Sequence, residues 1–303
     1  MQLRQLGEHG LMVSALGLGT RAWGQDIDQH EAKDILTTYL DSGGTFVQVD
    51  DDSVDHSATV LGEALPSSQR DAVTIAVRTG GGPVGRGRLL DSLDFTLREL
   101  KTDRADLWIV AGPRGSTPLA EILSALEVAY RSGRARYVGV SNLSWWDGGA
   151  AVATAQQQGW GLQAWGAPVS LLHSELLQPE AAQLRASGLG VIAGSPLAGG
   201  VLTGKYRRAT PADSRAASPR FRQEIETNLA NSRGVTEALV RAGEGLDMTP
   251  GQVALLWCLG VPTVTTAVVG PRTKRQLELL VDASSQALPQ ALMDVLTELA
   301  TSQ

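Results

Sequence analysis

Ala105-Asp-Leu-Trp-Ile-Val110 is a short apolar run between two segments of helical periodicity, and this alternation decides the fold. On one side, leucines recur at helical spacing between Leu90 and Leu100. On the other, Thr117–Pro118 is expected to begin a helix that Gly133 ends. The pattern recurs along the chain, and the strand-like runs are Ala15–Leu18, Thr45–Val49, Thr74–Val77, Ala105–Val110, Tyr137–Val140, Leu162–Gly166, Val191–Gly194 and Thr265–Val269.

These eight strand–helix units predict an α/β fold, a (β/α)8 TIM barrel, within 303 residues. A doubly wound sheet produces the same alternation, but the glycine fingerprint that often accompanies it is missing. After the first strand the chain reads Gly17-Leu-Gly-Thr-Arg-Ala-Trp23, with no third glycine at the required offset. No linker or change of composition divides the chain, so residues 1–303 are expected to form a single domain.

Helix boundaries can also be read from capping residues. Asp28 and Glu31 are placed as a cap pair before one helix, and Thr249–Pro250, with Gln252, begins another. Residues 203–224 carry six Lys and Arg residues and no apolar period, and they are interpreted as a long basic loop after strand seven.

The composition excludes several classes of protein. Apolar residues make up 43 % and charged residues 19 % of the chain, which is typical of a compact fold. The net charge of −6 argues against a general binder of nucleic acid or membranes. The single cysteine, Cys258, excludes an internal disulfide and is expected to be buried in the apolar run Val253–Leu259. The absence of a signal-peptide pattern and of a long apolar segment predicts a cytoplasmic protein.

The loops after strands seven and eight have features of a phosphate site. Gly270-Pro-Arg-Thr-Lys-Arg-Gln276 combines a helix N-terminus, whose N–H groups attract anions, with the planar donor fork of Arg272. Ser195-Pro-Leu-Ala-Gly-Gly200 contains glycines that let the backbone approach a ligand closely. Alternatively, Thr273 and Gln276 form only a capping box and Arg272 is only a solvated charge.

These stretches, in this order, resemble the aldo-keto reductase superfamily over nearly the whole chain. The resemblance begins at the N-terminal hairpin Leu3–Ser14 and continues through Gly17-Leu-Gly-Thr20 and Gly139-Val-Ser-Asn142. It ends with Ser195-Pro-Leu197, Gly204-Lys-Tyr206 and the segment from Val269 to Leu277. It implies a barrel closed at its base by the hairpin, with NADPH extended across the opposite face and a hydride passed between cofactor and carbonyl.

The resemblance also implies a set of residues for the cofactor NADP(H). Ser141 and Asn142 match the partners of the nicotinamide carboxamide, and Arg272 and Gln276 match contacts to the adenosine 2′-phosphate and adenine. The remaining cofactor positions are Gly19, Thr20, Arg21, Ser195, Pro196, Leu197 and Gly199. Two positions depart from the pattern: the aromatic that usually stacks on the nicotinamide falls near Val169, and an asparagine near the adenine is replaced by Leu280.

The family's catalytic Asp, Tyr, Lys and His do not carry over. Their positions hold Gln48, Ser53, Arg78 and Ala111, and a one-residue gap would put Asp52 at the tyrosine position. Gln48 can hydrogen-bond Arg78 without adding charge, Arg78 stays protonated, and serine is a poor general acid. No catalytic residue is therefore assigned, and ordinary carbonyl reduction is expected to be weak or absent.

An acidic run follows strand two, consisting of Asp50, Asp51, Asp52, Asp55 and His56. Such a cluster can bind Mg²⁺ or Mn²⁺, or it can be a solvated loop that precedes a helix. Contiguous carboxylates at a strand end point in different directions, which favours the loop, so no metal site is predicted.

Three functions remain open. The first is an NADPH-dependent oxidoreductase of altered mechanism acting on a small-molecule carbonyl compound that the sequence does not name. The second is a non-catalytic cofactor-binding or regulatory protein, and the third is a non-redox enzyme that reuses the pocket. The sequence does not specify the oligomeric state.

Overall fold

The structure, a computed structural model, describes residues 1–51, 56–80, 84–112, 117–178, 181–211 and 214–302. The chain begins with an antiparallel hairpin of β1 (Leu3–Leu6) and β2 (Leu11–Ser14). Eight further strands, all parallel to their neighbours, then close into a barrel, and the last of them pairs with the first. They are β3 (Leu16–Gly19), β4 (Phe46–Asp51), β5 (Thr74–Thr79), β6 (Ala105–Ala111), β7 (Ala135–Ser141), β8 (Ala164–Pro168), β9 (Gly190–Gly194) and β10 (Val264–Val269). The predicted TIM barrel and its N-terminal hairpin are confirmed.

Helices surround the barrel. They are α1 (Gln29–Asp41), α2 (Ser57–Ala64), α3 (Arg86–Glu99), α4 (Leu119–Arg131), α5 (Trp145–Gln157), α6 (Ala182–Ala186), α7 (Pro219–Ala230), α8 (Arg233–Leu246), α9 (Pro250–Gly260), α10 (Lys274–Ala283) and α11 (Gln290–Thr301). Within the described residues, no helix is both long and apolar enough to span a membrane.

Several predicted helix boundaries are confirmed. The Asp28 carboxylate accepts the first N–H groups of α1, and Thr249 and Gln252 form the expected capping box of α9. Gly133 follows α4 with φ of 78°, a conformation that glycine adopts without strain.

Three predictions about local structure are wrong. Thr117 does not cap α4, because its hydroxyl exchanges hydrogen bonds with the backbone of Val84. Glu31 does not complete a cap pair with Asp28, because its carboxylate reaches the first residue of α10. The basic segment 203–224 is not wholly a loop, since α7 begins at Pro219. Its buried residues Phe221 and Ile225 are spaced as on one helix face, but Ile225 lies beyond the segment, so the segment alone shows no helical period.

Two apolar cores lie on opposite sides of the strands. The lumen is filled by Phe46, Ala76, Leu107 and their neighbours, together with Leu6 and Val13 of the hairpin. The hairpin therefore closes the base of the barrel. Because strand side chains alternate between faces, Gln48 and Asp50 share the lumen face of β4 with Phe46. This leaves the polar side chains of β4 at the other end of the lumen, where the carboxyl ends of the strands meet.

Candidate functional site

The candidate site lies at the carboxyl ends of the strands, where an ion pair links β4 to β5. Asp50 and Arg78 are register partners, and Arg78 Nη1 donates to Asp50 Oδ1 at 3.2 Å. Arg21 approaches the other carboxylate oxygen of Asp50, with Nε 3.9 Å from Oδ2. One carboxylate is thus shared by two guanidinium groups.

Gln48 does not bond to Arg78 as expected from the sequence. Arg78 pairs with Asp50 instead, because Asp50 is the residue that lies beside it in the strand register. The backbone carbonyl of Gln48 accepts from the N–H and the hydroxyl of Thr20, at 3.0 and 3.3 Å. Gln48 therefore fixes the loop that follows β3.

The acidic run separates onto two faces of β4. Asp51 points away from Asp50 and accepts hydrogen bonds from the hydroxyls of Thr79, Ser92 and Thr96. These bonds tie the end of β4 to β5 and α3. Asp52, Ser53 and Asp55 lie outside the described residues, so the structure gives no position for the residue aligned with the family's tyrosine.

No described tyrosine replaces it. Tyr39 is buried beside Ser14, and burial raises the pKa of its phenol to about 12. Tyr137 donates to the backbone of His9 in the hairpin turn, and Tyr206 accepts from the N–H of Ala216 in the loop before α7. Tyr130 is exposed on α4. Ala111, at the end of β6, is buried and carries no group that transfers a proton.

Ser141, at the end of β7, is a buried polar residue without a partner. Its hydroxyl makes no hydrogen bond among the described residues. The next residue, Asn142, is held in the left-handed region with φ of 54°, and its N–H donates to Gly166 on β8. Buried hydroxyls nearly always have partners, so this one marks a position where a ligand's polar group fits.

The loop after β9 holds its backbone in uncommon conformations. Ser195 and Ala198 have φ of 52° and 46°, and Gly199 and Gly200 follow with 67° and 94°. A Cβ atom at Gly199 would lie 2.2 Å from Ile225 of α7, so this helix packs directly on the loop. Residues other than glycine rarely occupy this region, and such strain clusters at functional sites.

Three arginines, Arg21, Arg215 and Arg272, form what we term the arginine cluster. Arg215 and Arg21 lie over the ring of Phe221, at 5.6 and 5.0 Å from its centroid. Arg215 also donates to the carbonyl of Gly270 at 3.2 Å, beyond the end of β10.

The charge of Arg215 is poorly compensated. Burial lowers the pKa of its guanidinium; Glu224 opposes that shift, while Arg21 and Arg272 add to it. No carboxylate among the described residues lies within 4.0 Å of it. A half-buried cation without an ion-pair partner favours an anionic ligand.

Arg272 and Gln276 lie at the N-terminus of α10. Thr273 caps this helix by accepting the N–H of Gln276, whose side chain accepts the N–H of Arg272 at 2.9 Å. The Arg272 guanidinium lies near Asp26, with Nη1 3.9 Å from Oδ1 and Nη2 donating to the backbone oxygen at 3.4 Å. Capping thus occupies the side chains of Thr273 and Gln276, while Nη1 of Arg272 is buried without a hydrogen bond among the described residues.

The two departures expected from the family pattern lie in the outer core. Val169 is fully buried, and its carbonyl accepts from the thiol of Cys258. It therefore offers no exposed face on which a ring could stack. Leu280 is likewise buried against the barrel. At the mouth, Pro168 pairs in register with Gly194, so neither strand end there supplies an aromatic platform.

Comparison with known proteins decides the family. The model of the Aldo/keto reductase family matches residues 15–301. The chain belongs to the aldo/keto reductase family. It is 30 % identical to the uncharacterized oxidoreductase YrpG of Bacillus subtilis, over 99 % of this chain and 96 % of that protein.

Two other relatives of this aldo/keto reductase carry different names. One is the L-glyceraldehyde 3-phosphate reductase of Escherichia coli, 30 % identical over 93 % of this chain and 87 % of that protein. The other is a probable voltage-gated potassium channel subunit beta of Arabidopsis thaliana, 30 % identical over 92 % and 89 %. Enzymes of this family typically use a nicotinamide cofactor. The names of the three relatives, however, do not agree on one activity.

Sequence reasoning missed several members of the site. It placed Arg215 in a basic loop without a role and Asp50 in an acidic run. No sequence pattern marks Asp26, and Glu31 is predicted only as part of the cap of α1. Only the pairing of Asp50 with Arg78 has a usable signal, because each residue directly follows a predicted strand and these two strands neighbour each other in a barrel.

Proposed function

We propose that this aldo/keto reductase binds NADP(H) across the carboxyl ends of its strands and is an oxidoreductase of altered mechanism. The observation that carries the proposal is Arg215, which is half-buried and has no carboxylate within 4.0 Å among the described residues. It lies beside Gly270 in a cluster with Arg21 and Arg272. A pyrophosphate supplies the negative charge that this cluster lacks.

The other donors fit the remaining parts of the cofactor. The partnerless hydroxyl of Ser141, with Asn142, would hold the nicotinamide carboxamide. The loop of Ser195, Pro196, Leu197 and Gly199 would face the pyrophosphate, and Gly19, Thr20 and Arg21 would line its path. Arg272 would contact the 2′-phosphate through the N–H groups of Nη1, which have no hydrogen bond among the described residues.

NADPH supplies a hydride when it is bound, and the residues of this chain determine what else the reaction requires. Arg78 would donate a hydrogen bond to a substrate carbonyl oxygen and stabilise the negative charge that develops there. Asp50 holds the guanidinium through its 3.2 Å bond. Because arginine keeps its proton at neutral pH, the oxygen must be protonated by water or by the substrate itself.

A second candidate is a cofactor-binding subunit without catalysis. It is favoured by Ala111 and Arg78, which stand at two of the family's catalytic positions and transfer no proton. The Arabidopsis relative is named as a probable voltage-gated potassium channel subunit beta, a name that states no enzymatic activity. Oxidation of bound NADPH by a carbonyl substrate distinguishes the two candidates.

The test of cofactor binding compares NADPH with NADH. We expect the wild type to prefer NADPH by about 1–3 kcal/mol, because a guanidinium beside a helix N-terminus binds the extra phosphate. Arg272→Ala should weaken NADPH binding much more than NADH binding in a fluorescence titration. An equal loss for both cofactors, or no binding of either, contradicts the proposal.

A further inference from the structure

The N-terminus of α10 is in contact with a carboxylate from another helix. Oε1 of Glu31, in the first turn of α1, accepts the N–H of Lys274 at 2.7 Å. Lys274 is the first residue of α10, two residues after Arg272. The group that satisfies this helix end is therefore an anion supplied by the chain itself.

The Glu31 carboxylate already accepts the hydrogen bond of an N–H group that a bound phosphate would use. The N–H of Gln276 is already taken by the Thr273 hydroxyl, so Lys274 supplies one of the few remaining N–H groups of the first turn. A phosphomonoester carries a charge of about −1.5 to −2 at neutral pH, so it is repelled by a carboxylate at the same donor. A ribose 2′-hydroxyl has no charge and can donate a hydrogen bond to that carboxylate.

The positive charge of Arg272 also lies near a carboxylate of the chain itself. Asp26 approaches its Nη1 at 3.9 Å, a distance that balances charge without making a hydrogen bond. The region where the 2′-phosphate is proposed to bind thus contains two acidic side chains, Asp26 and Glu31, beside one guanidinium.

We infer that Glu31 sets the cofactor preference of this protein by lowering its affinity for the 2′-phosphate. The inference rests on the proposed cofactor site. In it, Glu31 opposes the preference for NADPH over NADH that Arg272 gives. The wild type is expected to retain a preference for NADPH that is smaller than Arg272 alone would give.

The test is Glu31→Gln, which removes the charge and keeps an oxygen that accepts the N–H of Lys274. The matched control is Glu278→Gln, which removes a carboxylate of the same helix that lies 3.9 Å from the Lys274 ammonium. Dissociation constants are measured by fluorescence for NADPH and NADH, and by calorimetry for adenosine 2′,5′-bisphosphate and adenosine 5′-monophosphate.

We expect Glu31→Gln to tighten NADPH and the bisphosphate about 5- to 10-fold, with NADH and the monophosphate changing less than about 2-fold. The control should leave both ratios unchanged. If the wild type binds both cofactors and Glu31→Gln leaves their ratio unchanged, or if the control shifts it equally, the inference alone is wrong. If the wild type binds neither cofactor and neither nucleotide, the proposed function fails and the inference with it.

Discussion

Asp50 and Arg78 face each other across β4 and β5 as register partners, with Arg78 Nη1 3.2 Å from Asp50 Oδ1. Asp50 lies two residues beyond Gln48, which is aligned with the family's catalytic aspartate, and therefore on the same face of the strand. The carboxylate that pairs with the Arg78 guanidinium therefore lies two residues closer to the mouth of the barrel than the position of the family's aspartate. The pair is only partly exposed, at 15 % for Asp50 and 27 % for Arg78.

Removing this carboxylate should destabilise the fold. Asp50→Asn removes the carboxylate that pairs with Arg78 and leaves Arg21 only Glu224 among the described carboxylates, at 3.7 Å, so we expect a loss of about 1–2 kcal/mol in the free energy of unfolding. The measurement is urea denaturation. Asp71→Asn removes one of two exposed carboxylates that pair with Arg104, the other being Asp103, and should change stability by less than about 0.5 kcal/mol. Equal effects of the two substitutions would show that the Asp50 pair contributes no more than a surface ion pair.

Restoring the tyrosine alone should not restore carbonyl reduction. Ser53→Tyr returns a phenol to the sequence position of the family's tyrosine, but Arg78 and Ala111 stand where the family has the lysine and histidine that tune its pKa and assist proton transfer. We expect the rate with aromatic aldehydes to stay near background. The combination of Gln48→Asp, Ser53→Tyr, Arg78→Lys and Ala111→His should raise it about 10²–10⁴-fold, because these residues act as a unit. High activity of Ser53→Tyr alone in an NADPH oxidation assay would contradict this reasoning.

The hydroxyl of Ser141 should matter for the cofactor and not for the fold. Ser141→Ala removes a buried group with no partner among the described residues, so stability should be unchanged or rise by up to about 1 kcal/mol. Affinity for NADPH should fall about 5- to 10-fold, the value of one hydrogen bond. Thr266→Val removes a second buried hydroxyl of the same kind and should leave NADPH affinity unchanged. A similar loss in both variants would assign the effect to packing.

Gly199 should tolerate substitution poorly for a reason that a double mutant can isolate. Gly199→Ala combines a positive φ with a Cβ atom 2.2 Å from Cδ1 of Ile225, and we expect a loss of about 2–4 kcal/mol. Gly10→Ala has a positive φ in open space and should cost about 1 kcal/mol. Ile225→Val deletes the clashing atom, so Gly199→Ala should cost less in that background. Simple additivity of the two substitutions in thermal unfolding would exclude the clash.

The strands could be predicted from the sequence because burial in a parallel barrel produces short continuous apolar runs. Each of the eight predicted runs overlaps an observed strand, yet β4 continues to Asp51 and β5 to Thr79. Those ends were missed because residues at the mouth are polar, and an apolar pattern stops where the lumen meets solvent. Asp50 and Arg78 belong to these unpredicted ends.

The contacts between distant elements could not be predicted in this way. Glu31 is read from the sequence as part of the cap of α1, but it satisfies α10, which lies more than two hundred residues later in the chain. Arg215 is one of several arginines in a segment without periodicity. What distinguishes it is its contact with the ring of Phe221 and its hydrogen bond to Gly270, and neither contact can be read from the sequence. Periodicity identifies which face of an element is buried, whereas it does not identify which elements meet.

We propose that this aldo/keto reductase binds NADPH and lacks the proton donor for ordinary carbonyl reduction. The most direct measurement follows nicotinamide fluorescence in two stages on one sample, first during titration with protein and then after an aromatic aldehyde is added. The account predicts a saturable fluorescence change, followed by no loss of signal above that of the cofactor in buffer. A fluorescence that does not saturate, or a rapid loss after the aldehyde is added, would contradict it.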